Sequence, residues 1–118
     1  IFVPKMPSYR ITDLAKAIAP EAQLNIVGVR PGEKLHEMLI TMDDAFNTIE
    51  YEDYFVVLPF TDFLQWDKQT YLAEAHKIPG RMCKPGFNYS SGANSWFLTR
   101  KDIHQLVEEY IKNSINKY

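Results

Sequence analysis

Apolar positions at Ile11, Leu14, Ala15 and Ile18 recur at the spacing of one helix face, and Pro20 stops the run. Near the other end Ile103, Leu106, Val107, Tyr110 and Ile111 form a longer stripe of the same period. Thr99 precedes that stripe as a cap and Asp102 sits in its first turn, where a carboxylate suits the positive end of the helix dipole. A stripe of this kind predicts a packing face, expected here against a sheet. Strand signals lie between the helices. Residues 24–29 (Leu-Asn-Ile-Val-Gly-Val) are β-branched and apolar, and residues 54–58 are continuously apolar up to Pro59, so both runs predict buried strands. Ile1, Phe2 and Val3 predict a further strand ended by Pro4 and Pro7.

The remaining segments are less regular. After residues 30–33 the apolar positions Leu35, Met38 and Leu39 predict a second helix with Lys34, His36 and Glu37 on its polar side. Residues 41–52 are polar and acidic and predict a loop or an irregular helix. Phe60, Phe63, Leu64, Trp66 and Tyr71 follow without clear period and are expected in the core, the alternative being a patch laid against another part of a larger protein. Residues 78–86, with Pro79, Gly80, Pro85 and Gly86, predict a loop, as do Tyr89, Ser90 and Ser91. The order strand, helix, strand predicts a small mixed α/β fold, read as a single domain over residues 1–118.

Composition narrows the function classes. With 118 residues, 46% of them hydrophobic, one core is feasible. A net charge of −2 supplies no basic field for nucleic acid. No apolar run approaches the ~20 residues of a membrane span. Cys83 is the single cysteine, which excludes an internal disulfide, argues against a cysteine-based zinc site and suits a reducing cytoplasm. His36, His76 and His104 are scattered without paired ligand spacing, so no metal site is expected. Tyr89-Ser90-Ser91 lacks the G-x-S-x-G frame of a nucleophile turn. Glu50, Glu52 and Asp53 read as a solvated acidic face.

The stretch that carries chemistry is Arg30-Pro31-Gly32-Glu33-Lys34-Leu35-His36-Glu37. Pro31 presets a turn, and Gly32 lets the backbone come close to a ligand. A guanidinium there can grip phosphate oxygens in bidentate fashion, while a carboxylate three residues on can accept from ribose hydroxyls. A plain surface turn in which Arg30 and Glu33 pair with each other meets the same spacing.

Arg-Pro-Gly-Glu-Lys-Leu-His-Glu resembles the signature in the C-terminal part of the inverting UDP-N-acetylglucosamine 4,6-dehydratases, a branch of the extended short-chain dehydrogenase/reductases. Segments of that family are also resembled, in order, by residues 1–8, residues 11–18, residues 52–55 and residues 87–91 followed by Asn94. The resemblance implies the substrate-binding portion of an NADP-dependent enzyme that makes 4-keto-6-deoxy sugars for surface polysaccharide or flagellar glycans. Arg30 would hold the UDP diphosphate and Glu33 the ribose; Lys5 is suggested near a phosphate by its family position alone. The partners implied are a UDP-sugar, held weakly by the chain alone, and a second copy or a Rossmann half. That half is not encoded here. The five glycines show no G-x-G-x-x-G spacing, and no tyrosine is followed four residues on by lysine, so no cofactor is expected to bind this chain and no catalytic residue is assigned. A related nucleotide-sugar epimerase and a stand-alone interaction domain are the alternatives.

Overall fold

Phe55 and Val56 are neighbours in sequence and belong to different cores. In the computed structural model, which describes residues 1–60, 71 and 78–115, the chain divides into two units. The first comprises Ile1–Met6 and Glu37–Ala93, the second Pro7–His36 and Asn94–Tyr118. In the first unit β1 (Phe2–Pro4), β3 (Thr48–Glu50), β4 (Tyr54–Val57) and β5 (Arg81–Met82) form an antiparallel sheet in the order β1-β4-β3-β5. The strand period of two sends alternate side chains of β4 to opposite faces. Val56 joins buried Ile49, Tyr51 and Leu58 on one face, whereas Phe55 joins buried Val3 and Ile40 on the other. Burial on both faces is what the uninterrupted apolar run of residues 54–58 foretells.

β2 (Met38–Ile40) pairs with β6 (Tyr89–Ser90) in a separate two-stranded sheet within this unit. The helix expected from Leu35, Met38 and Leu39 is therefore not formed. Met38-Leu39-Ile40 is too short a run to distinguish a helix from a strand, and burying Ile40 completely decides in favour of pairing. The loops expected at residues 78–86 and 89–91 likewise contain β5 and β6. Residues 41–52 hold a 3-10 helix (Asp44–Asn47) running into β3. Asp44 Oδ2 accepts hydrogen bonds from Thr41 N at 3.2 Å and Thr41 Oγ1 at 2.6 Å, and Thr41 Oγ1 accepts one from Asp44 N. Of the aromatic run, Tyr71 packs against the Ile49 core and Phe60 is exposed. Phe63, Leu64 and Trp66 lie outside the described residues.

An ion-pair network spans the four-stranded sheet. Glu50 at the end of β3 accepts from Lys5 Nζ at 2.8 Å through Oε1 and from Arg81 Nε at 2.9 Å through Oε2. Glu50 is thus bound into the sheet and is not the solvated acid expected of it. The residue ties the end of β1 to β5, whose Arg81 is its cross-strand partner. Burial alone would raise the Glu50 pKa, but the Lys5 and Arg81 hydrogen bonds outweigh it and hold the carboxyl below its ordinary value.

The second unit packs α1 (Ile11–Ile18) on α2 (Arg100–Ile115). Thr99 and Asp102 repeat the exchange made by Thr41 and Asp44. Thr99 N and Oγ1 donate to Asp102 Oδ2 at 2.8 and 2.6 Å, satisfying the start of the helix. Asp13 of α1 pairs with Arg100 at 3.2 Å, and the ring Nδ1 of His104 lies 3.1 Å from the carbonyl oxygen of Ala17. Lys16 Nζ donates to the carbonyls of Pro20 and Ala22, closing the end of α1. The stripe of α2 was expected to lie against a sheet, but its neighbour within this unit is α1. Eight residues of α1 cannot cover a sixteen-residue helix, so Ile103 is 4% exposed while Leu106 is 53% exposed.

Residues 24–29 correct a second expectation, because no ladder among the described residues includes them. Ile26 and Val27 are 77% and 72% exposed. Gly28 takes φ 84°, which turns the chain out of the extended course a strand requires, and β-branched residues favour a strand only where a neighbouring edge is offered. The strand-helix-strand unit therefore lacks its second strand.

Two expectations about stability follow from these contacts. Ile103→Ala should destabilise the second unit by about 2–4 kcal/mol, whereas Leu106→Ala at its half-exposed site should cost about 1 kcal/mol or less. Urea midpoints of the two variants read the difference, and equal losses would contradict the packing described. Acid is the other probe. Asp44 and Asp102 are held below ordinary carboxylate values chiefly by the hydroxyls of Thr41 and Thr99, as Glu50 is by its cations. A depressed native pKa gives stability that is complete above the unfolded carboxylate range, about pH 4–5, and is lost as pH falls through the native values. Glu50→Gln should therefore lower stability at neutral pH and make the loss between pH 7 and about pH 3 smaller than in wild type. An unchanged acid loss in that variant would show that Glu50 does not contribute to it.

Candidate functional site

Arg30-Pro31-Gly32-Glu33 is a tight turn in the second unit, neither a strand end nor a helix start. Glu33 N donates to the Arg30 carbonyl at 3.0 Å, closing it. Gly32 has φ 87°, and with proline before it this is the residue pair that a type II turn asks for. The Glu33 carboxylate folds back and accepts from Arg30 N at 2.9 Å. Glu33 meets Arg30 through the backbone amide. No ion pair joins the two side chains among the described residues. Both residues are exposed. The turn thus presents a guanidinium to solvent and an acid whose position is set by one amide, which suits gripping an anion with a hydroxyl acceptor alongside. Flanking it, Ile26, Val27, Val29 and Leu35 are exposed as well.

A different set of residues converges in the first unit, where a groove of about 440 Å³ is lined by Lys5, Glu50, Tyr51, Glu52, Pro79 and Arg81. Lys5 is positioned twice, by its ion pair with Glu50 and by its amide, which donates to the Asp53 carbonyl at 2.8 Å. Its ammonium also lies 5.0 Å from the centroid of the Phe55 ring, a cation–π contact. Sequence reasoning missed this constellation because Glu50 is 45 residues from Lys5 and 31 from Arg81. The only local signal is the alternation in Thr48-Ile49-Glu50-Tyr51, which marks a strand without naming its neighbours.

Other polar residues have structural duties. Tyr89 Oη donates to the Met6 carbonyl at 2.9 Å and accepts from the Met6 amide at 2.8 Å, so one phenol satisfies both backbone groups. Ser91 Oγ accepts from Glu37 N at 3.0 Å. Burial and the nearby Glu50 carboxylate push the Cys83 thiol up to about 11, which leaves almost no thiolate at neutral pH. Among the described residues no group of three His, Cys, Asp or Glu could hold a metal ion, and no helix is long and apolar enough to cross a membrane.

Known proteins resemble this chain. The family model described as "Polysaccharide biosynthesis protein" matches residues 1–59. Two proteins named UDP-N-acetylglucosamine 4,6-dehydratase (inverting), from two Campylobacter jejuni strains, are 40% and 37% identical to this chain over 107 residues. Each match covers 91% of the chain and 32% of the relative, so the chain spans about a third of the length of these curated relatives. Among solved structures, Pen from Bacillus thuringiensis superposes with a TM-score of 0.63 at 21% identity, over 92% of this chain and 31% of that one. That likeness concerns the fold alone and agrees with the small mixed α/β architecture. Matched over half its length by the family model and over nine-tenths by dehydratase relatives, the chain belongs to the polysaccharide biosynthesis protein family.

Proposed function

We propose that this chain is the nucleotide-sugar-binding portion of an inverting UDP-N-acetylglucosamine 4,6-dehydratase, acting in the cytoplasm on the route to surface polysaccharide or flagellar glycan sugars. The observation that carries the reading is 40% identity to a protein of that name over 91% of the chain, a span too long to omit the turn at residues 30–33. In this reading Arg30 faces the diphosphate of a UDP-sugar and Glu33 its ribose. The exposure of Ile26, Val27, Val29 and Leu35 around the turn supports a site completed by a further part of the enzyme, since such residues are ordinarily covered.

Dehydration of this kind uses NADP, and the residues present do not fit it. A dinucleotide needs a glycine-rich turn opening into a helix. Among the described residues Arg10 precedes α1 and Thr99 precedes α2. Tyrosine and lysine also never stand at the spacing of the family's catalytic pair. No chemical step is therefore assigned to this chain, whose contribution is binding and orientation.

The test is a hybrid in which this chain replaces the matching third of the Campylobacter jejuni dehydratase. The hybrid should form a 4-keto-6-deoxy sugar, while the chain alone with UDP-N-acetylglucosamine and NADP should leave the sugar unchanged. UDP titration of the hybrid should show Arg30→Ala costing about 2–3 kcal/mol and Glu33→Ala about 1 kcal/mol, because a phosphate charge left uncompensated is worse than a ribose hydroxyl that turns to water. Folded variants that both bind UDP like the unmodified hybrid would make residues 30–33 a structural turn only.

A further inference from the structure

One oxygen of the exposed Glu33 carboxylate is already engaged. Oε2 accepts from the Arg30 amide at 2.9 Å, and the Glu33 amide donates to the Arg30 carbonyl at 3.0 Å, so residues 30 and 33 are joined twice. Between them Pro31 fixes its own φ, and Gly32 at φ 87° takes a conformation that other residues adopt only with strain. Little outside the turn supports it. Beyond its chain neighbours nothing lies within 4 Å of a Cβ built on Gly32, and Ile26, Val27, Val29 and Leu35 on either side are exposed. A turn without packing keeps its shape through its own bonds, which makes the bond from the Arg30 amide to Glu33 a main determinant of how Arg30 is presented.

A carboxylate at this place can act in two ways of opposite sign. It occupies an amide that a phosphate could use and adds a negative charge beside the anion, so on that account its removal would tighten anion binding. It also takes backbone freedom from Arg30 before a ligand arrives, which leaves less ordering to be done when the guanidinium is engaged, and on that account its removal would weaken binding. The guanidinium stands at the end of a long stem, whereas the Glu33 carboxylate is tied to the Arg30 backbone, and both are in solvent, which screens the repulsion. Ordering therefore outweighs it. Among the described residues Oε1 of Glu33 has no hydrogen-bond partner, so the same carboxylate keeps an acceptor for a hydroxyl while Oε2 holds the turn.

We propose that Glu33 is a positioning residue for Arg30. Its carboxylate, bonded to the Arg30 amide, preorganises the turn that presents the guanidinium, and so supports diphosphate binding through Arg30 alongside its own contact with the ribose. The proposal rests on the reading of residues 30–33 as a UDP-sugar site and deepens it.

The probe is inorganic pyrophosphate, which has no ribose, titrated into the hybrid described above. Glu33→Ala should weaken pyrophosphate binding about threefold, the order lost with one hydrogen bond. Glu33→Gln should bind it as tightly as the unmodified hybrid, because the side-chain oxygen of glutamine still accepts from Arg30 N. In the full 118-residue chain the Arg30 amide should exchange with solvent faster in Glu33→Ala than in wild type or Glu33→Gln, with the rest of the amide spectrum unchanged. A ribose contact alone would move neither readout. Pyrophosphate bound equally or more tightly by Glu33→Ala, or weakened equally in the Ala and Gln variants, would overturn this proposal alone. An Arg30→Ala hybrid that binds pyrophosphate like the unmodified one would overturn the site reading and this proposal with it, so the two failures are distinguishable.

Discussion

Burial of β4 on both faces is the constraint from which the first unit takes its form. A strand with apolar side chains on both sides must be covered twice, and the chain does this with different parts of itself. Ile49, Tyr51 and Leu58 cover one face and Val3 and Ile40 the other, with Phe87 and Tyr89 packing around Phe55 at ring separations of 5.3 and 5.1 Å. Because Val3 and Ile40 come from opposite sides of the excursion into the second unit, the first unit closes only when residues 1–6 and 37–93 meet. Contacts this distant in sequence are slow to find, and their loss-of-entropy term is offset only once both faces are covered.

Polar groups then fix what the apolar core leaves free. Glu50 bonded to Lys5 and Arg81 reinforces the register that the apolar pattern sets, because a one-residue slip of β3 would point the carboxylate to the other face. The two Thr-x-x-Asp exchanges do comparable work at the starts of the 3-10 helix and of α2. Each satisfies donors that would otherwise need water, using residues three apart.

Legibility in the sequence follows the range of each signal. Helix α1, helix α2 with its Thr99 and Asp102, and strand β4 are legible because period, cap and stop lie within one segment. β2, β5 and β6 are two or three residues long and owe their state to partners elsewhere in the chain, so Met38-Leu39-Ile40 reads as helix and Arg81-Met82 as loop. The same holds at the sites. Pro31-Gly32 declares the turn that carries Arg30 and Glu33, though not that the acid would bond a backbone amide. The groove around Glu50 was invisible because nothing in residues 48–52 says which strands will flank them.

Residues 24–29 are the instructive conflict. Their composition is that of a buried strand, yet Gly28 bends the backbone and the large side chains stand in solvent. Exposing Ile26, Val27 and Val29 together forfeits the burial of three β-branched side chains, each worth about 1.5–3 kcal/mol when fully covered. A sequence retains such a run where something covers it. The adjoining turn is the one that carries Arg30 and Glu33, so a surface laid over residues 24–29 would also remove water from the guanidinium. Its hold on a phosphate would strengthen as the local dielectric falls. If Arg30 holds a phosphate as proposed, covering the apolar run and sharpening that site would be one event, and the exposed side chains would gain a role in binding that their own chemistry does not supply.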